Sequence, residues 1–387
     1  MAVSVLRCSG GEAVAALVAA SAIRTCLGNG GETFSALMRG RSGVNALKYL
    51  DPDSINITHA YQRDGTEERV FGASDMLREC LIEALHASRL ELESKRVVAV
   101  VGTGLRELRA VERVATSQLP NLPVEKLHFA GVVREVFPQV GKVVTLSNAC
   151  SAGGHALAVA QDVVECGDAD IVIAAATDTI TASMLAMIGR FATEPGECVR
   201  PFDVGRRNTL LGEGAGVVIL TREGEAGHAV ARLLSTGLSC DARHETVPCP
   251  EGIRRAVADA FARGGRAPRD VDLVVAHGTG TLLNDPMEAQ LIAEVYGTSE
   301  RAPCVAAVKG AVGHTSGSAA LVSLDVALHA ARAGCIPPVV GLEYPIEEAR
   351  YLKMGIGESL RRDVRLAVIN AFGFGGVNAV TLLETLH

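Results

Sequence analysis

Thr145-Leu-Ser-Asn-Ala-Cys-Ser-Ala-Gly-Gly154 is the stretch in which an apolar run turns into a helical pattern. Just before and within it, Val143, Val144 and Leu146 read as the end of a short buried strand. After it, Ala156, Leu157, Val159, Ala160, Val163 and Val164 recur at helical spacing until Gly167 closes the segment. A strand that passes directly into a helix is the building unit of α/β proteins. The junction holds Cys150. A sulfur at a helix N-terminus faces unpaired N–H groups and the positive end of the helix dipole, and both favour thiolate. Free cysteine is equally a common inert core residue, so the junction alone does not assign a role.

The same alternation runs through the chain. Short Val/Ile/Leu-rich runs at 97–102, 143–146, 171–176 and 216–220 read as strands in the first part. Runs at 273–276, 305–308, 366–369 and 379–383 play that part later. They are continuous rather than alternating, which predicts strands covered on both faces. The two parts also echo each other. Cys150 opens a Gly/Ala-rich helix, followed by Gly212-Glu-Gly-Ala-Gly216 and a strand. Gly313-His-Thr-Ser-Gly317 opens another Ala-rich helix, followed by Gly373-Phe-Gly-Gly376 and a strand. A repeat this long predicts a duplicated fold rather than a solenoid. The apolar pattern breaks over 221–227, so the halves are expected to divide as 1–225 and 226–387 around a shared core.

Composition narrows the function. The formal charge of −7 and the lack of Trp argue against nucleic-acid binding. Ten cysteines without a CxxC pair fit neither a zinc site nor a disulfide framework, so reduced thiols in a cytoplasm are expected. Residues 13–23 mimic a leader, ending in Ala20-Ser21-Ala22. The run is too short to span a bilayer, and only Arg7 supplies basic charge ahead of it, so neither secretion nor a membrane span is expected.

Other strand ends carry reactive residue types. His277 follows 273–276 and opens Gly278-Thr-Gly-Thr281, with Asp285 and Glu288 just beyond. His314 closes Lys309-Gly-Ala-Val-Gly-His314 at a second strand-to-helix junction. A lone strand-end histidine is usually a packed or capping residue. Two of them, with a lysine and a helix-opening cysteine at equivalent points of a repeat, mark a site, because α/β folds place sites at strand C-terminal ends. Gly212–216 and Gly373–376 read as tight turns and match no nucleotide-binding pattern. No local ligand pair supports a metal.

Five segments together carry a resemblance. They are Ala149-Cys-Ser-Ala-Gly153, Arg200-Pro-Phe-Asp203 with Gly212-Glu-Gly-Ala-Gly216, His277-Gly-Thr-Gly-Thr-Leu-Leu-Asn-Asp285, Lys309-x-x-x-Gly-His314, and Asn370-Ala-Phe-Gly-Phe-Gly-Gly-Val-Asn378. In order and spacing they resemble the β-ketoacyl synthase family, the elongating condensing enzymes of fatty-acid and polyketide synthesis in the thiolase superfamily. The likeness implies a thiolase fold, five layers α-β-α-β-α from two similar halves, normally dimeric. It implies that Cys150 accepts an acyl group from the phosphopantetheine arm of an acyl carrier protein, with no bound cofactor. His277 and His314 would assist decarboxylation of a malonyl-type extender and stabilise its enolate as neutral hydrogen-bond donors. The N–H groups of Cys150 and Phe374 would form the oxyanion hole, with Phe374 as gate. Lys309 would orient the site through a charge pair with Glu288, and Thr279, Thr281 and Asp285 would support it.

The two histidines set the chain apart from priming enzymes with Cys-His-Asn and from thiolases with a second cysteine. Cys150 sets it apart from chain-length-factor subunits, which resemble synthases but lack the nucleophile. Such a subunit, or a second copy, is the expected dimer partner. Both this chain and carrier proteins are acidic, so docking calls for a local basic patch, for which Arg200, Arg206 and Arg207 are candidates.

There are departures from the family pattern. Ser323 stands where the family usually has Glu, and the sequence leaves open whether Asp325 replaces that charge. Gly317-Ser-Ala-Ala320 replaces Gly-Ala-Ala-Gly, Arg206-Arg-Asn-Thr209 replaces Arg-Asp-Gly-Phe, and the first strand lacks Thr-Gly-x-Gly. A lost aromatic there suggests a reshaped acyl site and a type II polyketide or specialised fatty-acid pathway. Two other readings stand beside this one: a non-catalytic partner subunit, and an acyltransferase that loads Cys150 without decarboxylation.

Overall fold

Ten strands form the frame: β1 (Ala16–Thr25), β2 (Val97–Gly102), β3 (Val140–Leu146), β4 (Ile171–Asp178), β5 (Gly214–Arg222), β6 (Ala231–Cys240), β7 (Leu273–Val275), β8 (Cys304–Ala306), β9 (Leu366–Gly373) and β10 (Val377–Thr385). The computed structural model describes residues 15–48, 52–65, 69–191, 196–225 and 228–386. The main helices are α1 (Gly30–Met38), α2 (Gly72–Ser88), α3 (Ala152–Glu165), α4 (Pro250–Gly264), α5 (Asn284–Tyr296) and α6 (Ala319–Ala333).

The strands lie in the order β3-β2-β4-β5-β1-β6-β10-β9-β7-β8. Read from the middle outward, the two halves match strand for strand. β1 and β6 pair antiparallel with β5 and β10, which pair antiparallel with β4 and β9. Next come parallel β2 and β7, then parallel β3 and β8 at the outer edges. The halves join where β1 and β6 pair through Ala16↔Leu233, Leu17↔Arg232 and Val18↔Ala231.

Strand periodicity explains the layering, because successive side chains point to opposite faces. In the first half Val100, Val172, Val218 and Leu220 enter the central core, while Val101, Ile173, Val217 and Ile219 pack with Met76, Leu77 and Leu81 of α2. In the second half Leu273, Val275, Ala367 and Ile369 face the centre, while Val274 and Val368 meet Ile253, Val257 and Phe261 of α4. The central core also holds Leu157 of α3 and Leu321 and Leu324 of α6. The layers therefore run α2, first sheet half, α3 with α6, second sheet half, α4. This is the five-layered α-β-α-β-α arrangement. A helix buried on nearly every side is expected only in a middle layer. α6 fits, with Ala319 through Leu328, Ala330 and Ala331 buried. Small residues permit the approach: a Cβ at Gly153 of α3 would stand 2.7 Å from the Gly317 carbonyl.

Each of the eight apolar runs named above lies in a strand, although 276 and 307–308 fall beyond the strand ends. Of these ten strands, β1 and β6 are not among the runs read as strands from apolar pattern. The leader-like run 13–23 is mostly β1, the innermost strand of the first half. Nothing among the described residues is a helix long and apolar enough to cross a membrane. Cys26, Cys80, Cys150, Cys198, Cys240, Cys249, Cys304 and Cys335 are free thiols. Cys166 is disulfide-bonded, an exception to the expectation of reduced thiols throughout.

Candidate active site

Four strand ends converge on one cavity of about 360 Å³, lined among others by Cys150, His277, His314 and Phe374. After β3 a short 3-10 turn, Ala149–Ser151, precedes α3. Ala149 is held at φ +47, a left-handed conformation rare outside glycine, and the chain doubles back sharply enough to set Cys150 in the cavity wall. The second half repeats the device. Ser316, like Ala149 three residues ahead of its helix, has φ +51 and follows His314. His277 lies just beyond β7, and Phe374 follows β9.

The histidines are oriented by backbone donors. Ser316 N–H donates to His314 Nδ1 at 3.2 Å, and Phe372 N–H donates to His277 Nδ1 at 3.4 Å. With Nδ1 accepting, the proton of each neutral ring sits on Nε2. The rings meet edge to face with centroids 5.4 Å apart. Burial, and then the nearby Lys309 charge, hold both rings well below the ordinary histidine value. Near pH 7 they are neutral donors.

Cys150 corrects an expectation. Burial pushes its thiol up to about 11, although the Lys309 charge and the N–H groups of Phe374 and Cys150 itself pull it down. The stabilising groups are present, but desolvation outweighs them. In the substrate-free protein Cys150 is therefore a thiol at neutral pH. Alkylation of Cys150 by iodoacetamide is expected to accelerate about tenfold per pH unit from 7 to 10, because the thiolate fraction does so below the pKa. A rate that levels off below pH 9 would contradict this.

Lys309 is buried behind His277. Its Nζ donates to the His277 carbonyl and lies 3.4 Å from His277 Nδ1. Burial lowers it to about 8 against the charges of Glu288, Cys150 and Asp285. The expected charge pair with Glu288 is not a contact. Glu288 Oε1 accepts from His277 N–H (2.7 Å) and Asn370 Nδ2 (3.0 Å). Its Oε2 accepts from Gly278 N–H (2.8 Å) and Asn284 Nδ2 (3.1 Å). Asp285 accepts from Phe202 N–H (2.7 Å) and Gly280 N–H (3.1 Å), and burial pushes it up to about 6. The two carboxylates at the start of α5 thus lock the loop 277–281, whose Thr279 and Thr281 hydroxyls bond each other at 2.9 Å. Removing one acceptor of four buried N–H groups is costly. Glu288→Ala is expected to lower unfolding stability by at least about 3 kcal/mol, read from the urea midpoint. An unchanged midpoint would refute this reading of Glu288.

Asp325 does not replace the missing family glutamate. It accepts from Ser21 Oγ at 2.8 Å and lies 3.5 Å from His329 Nε2, in a separate cavity beside β1. Ser323 is buried within α6. Two of the docking candidates are also engaged within the chain. Arg200 is paired with Asp203 (3.0 Å) and Glu343 (3.3 Å), and Arg206 donates to the carbonyls of Thr281 (3.2 Å) and Asp203 (3.1 Å). Both hold the loop together. Arg207 lies exposed in the cavity wall.

Sequence reasoning missed Asp178, at the end of β4. Its carboxylate accepts from the N–H groups of Gly104 (2.7 Å), Leu105 (2.8 Å) and Gly317 (2.7 Å) and from Thr103 Oγ1 (2.8 Å). It ties the two halves together beside Cys150. A lone acid ending an otherwise apolar run was the available signal. It also missed the wall segment from Asp241 to Pro248, bonded to the Phe374 turn through Gly375 N–H to the Glu245 carbonyl (2.8 Å).

A duplicated sheet of this order, with its reactive residues at the ends of matching strands, is the frame of the thiolase-fold acyltransferases. The β-ketoacyl synthase N-terminal domain model matches residues 16–226, and the C-terminal domain model matches 230–343. The chain belongs to the β-ketoacyl synthase family and is a condensing acyltransferase. Nodulation protein E of Rhizobium meliloti (strain 1021) is 32% identical over 303 residues, 74% of each chain. The 3-oxoacyl-[acyl-carrier-protein] synthase 2 of Coxiella burnetii is 29% identical over 394 residues, 91% of this chain and 94% of that one. Among solved structures, the ishigamide ketosynthase/chain length factor superposes with a TM-score of 0.84 at 26% identity, covering 97% of this chain and 100% of that one.

Proposed function

We propose that the protein carries an acyl chain on Cys150 and condenses it with a malonyl-type unit borne by an acyl carrier protein, with loss of CO₂. The observation that carries this is the cavity itself. A cysteine faced by two backbone N–H groups stands among two neutral imidazoles whose free donors are Nε2–H. Cys150 sulfur bonds to the carbonyl carbon of the incoming thioester, and the carrier's thiol leaves with the proton. Next, the carboxylate carbon–carbon bond of the extender breaks and CO₂ departs. The electron pair left behind forms an enolate, whose oxygen accepts from His277 and His314. The enolate carbon attacks the Cys150 thioester, with the oxyanion received by the Cys150 and Phe374 N–H groups. Collapse breaks the carbon–sulfur bond, and with one proton taken up the thiol is restored beside a β-ketoacyl thioester. Phe374, 38% exposed at the cavity wall, is positioned to gate it.

In this reading the half 1–225 supplies the nucleophile and 226–387 supplies the histidines and Lys309. The names of the relatives support a carrier-protein substrate and a dimer, with a second copy or a chain-length-factor-like subunit. The free thiols support a cytoplasmic setting. Arg200, Arg206 and Arg207 are the docking candidates, and Arg207 is the exposed one at the cavity wall. The replacement of an aromatic by Thr209 supports a specialised pathway over housekeeping synthesis.

The test is to incubate the protein with acyl-carrier proteins and weigh the Cys150 peptide, then add malonyl-carrier protein and measure CO₂ and product. An adduct followed by CO₂ release is expected. No adduct with any donor overturns the enzyme reading, and an adduct without CO₂ assigns the acyltransferase instead.

A further inference from the structure

Asn208 and Thr209 line the same cavity as Cys150. They are close to the chemistry by construction. One residue further on, Leu210 accepts from His314 N–H at 2.8 Å, and Gly212 N–H donates to the His314 carbonyl at 3.0 Å. Yet Asn208 Nδ2, Asn208 Oδ1 and Thr209 Oγ1 are all buried without a hydrogen-bond partner. The amide oxygen rests over Gly196, where a Cβ would come within 2.4 Å, so a glycine keeps its socket open. Several other polar side chains of the wall are committed. Thr279 and Thr281 bond each other, Asn284 serves Asp285 and Glu288, and Asn378 serves Asp241 and Ser239.

Three unpartnered polar atoms on consecutive residues are unusual, since buried polar groups are almost always paired. A saturated acyl chain lying against them leaves all three unsatisfied. An oxygenated chain does not. A hydroxyl on the chain accepts from Asn208 Nδ2 or Thr209 Oγ1 and donates to Asn208 Oδ1, and a keto oxygen accepts from both donors. All three atoms are shielded from water, so the Asn208 amide turns from its place over Gly196 and the Thr209 hydroxyl rotates to meet the chain. Resting on the acyl-enzyme reading above, we infer that the acyl chain accepted by Cys150 carries a hydroxyl or keto oxygen along its length, read by Asn208 and Thr209. Sites that pair a substrate oxygen discriminate strongly against the analogue lacking it, because their own polar groups are then left unpaired.

The test measures acylation of Cys150 by intact mass, using pantetheine thioesters of one chain length that are saturated or carry a hydroxyl or keto group at successive positions. For at least one oxygenated donor, the wild-type protein is expected to show kcat/KM roughly tenfold to a hundredfold above the saturated chain. Asn208→Leu and Thr209→Val are each expected to reduce that ratio severalfold, and two variants guard against one that misfolds. Equal or faster acylation by the saturated chain overturns the inference while leaving the acyl-enzyme reading intact. A preference that survives both substitutions overturns the assignment to these residues. Failure of every donor to acylate Cys150 overturns the acyl-enzyme reading and the inference with it.

Discussion

Cys150→Ala is expected to abolish the acyl adduct and to slow condensation by at least about a thousandfold. The magnitude follows from what else the cavity offers. Among the described residues no other cysteine lines that cavity, so none of them replaces Cys150 there. The oxyanion donors remain in the variant, but they stabilise a tetrahedral centre only when a nucleophile has made one. The fold should be untouched, because alanine fits where a small buried thiol sat, and the thermal midpoint serves as the control. An adduct persisting in this variant would place the nucleophile elsewhere.

His314→Ala separates the two half-reactions. Acylation needs the sulfur and the two N–H groups, so the Cys150 adduct should still form. Release of CO₂ from malonyl-carrier protein should fall about a hundredfold to a thousandfold, since one of two enolate donors is lost in a dry site. The ratio of adduct yield to CO₂ rate is the measurement. Equal losses in both steps would instead show that His314 only holds the cavity together. Neutral donors also predict that decarboxylation does not decline on the acid side near the ordinary histidine value, because both rings stay neutral well below it.

The frame was largely legible because its strands are runs of branched residues with both faces covered, as at 97–102 and 366–369. β1 and β6 were not, because Ala, Ser, Thr and Gly dominate them and neither shows a clear period. Their pairing is a contact between halves, and no local pattern encodes it. The site was legible wherever chemistry sits at a junction that sequence can mark, as at Cys150, His277 and His314. It was not legible where the answer is burial. The helix-start environment of Cys150 can be read from spacing, but the desolvation that reverses its effect cannot. Likewise the family resemblance implies a charge pair between Lys309 and Glu288, whereas the carboxylate is filled by four N–H groups, from His277, Gly278, Asn284 and Asn370. Asp178 gains meaning only from its partners, and the missing partners of Asn208 and Thr209 add what the lost aromatic at 209 alone did not say.

The middle layer has a consequence for how such a protein can change. α6 is enclosed on nearly every side, and Gly153 admits no added carbon against Gly317. Bulk added beneath the reacting sulfur has nowhere to go, so the chemistry is anchored to a floor that resists revision. The rim is different: the stretches around Asn208, His244 and Leu282 are coil, not packed between sheets. New substrates are reached by rewriting that rim while the floor is inherited unaltered.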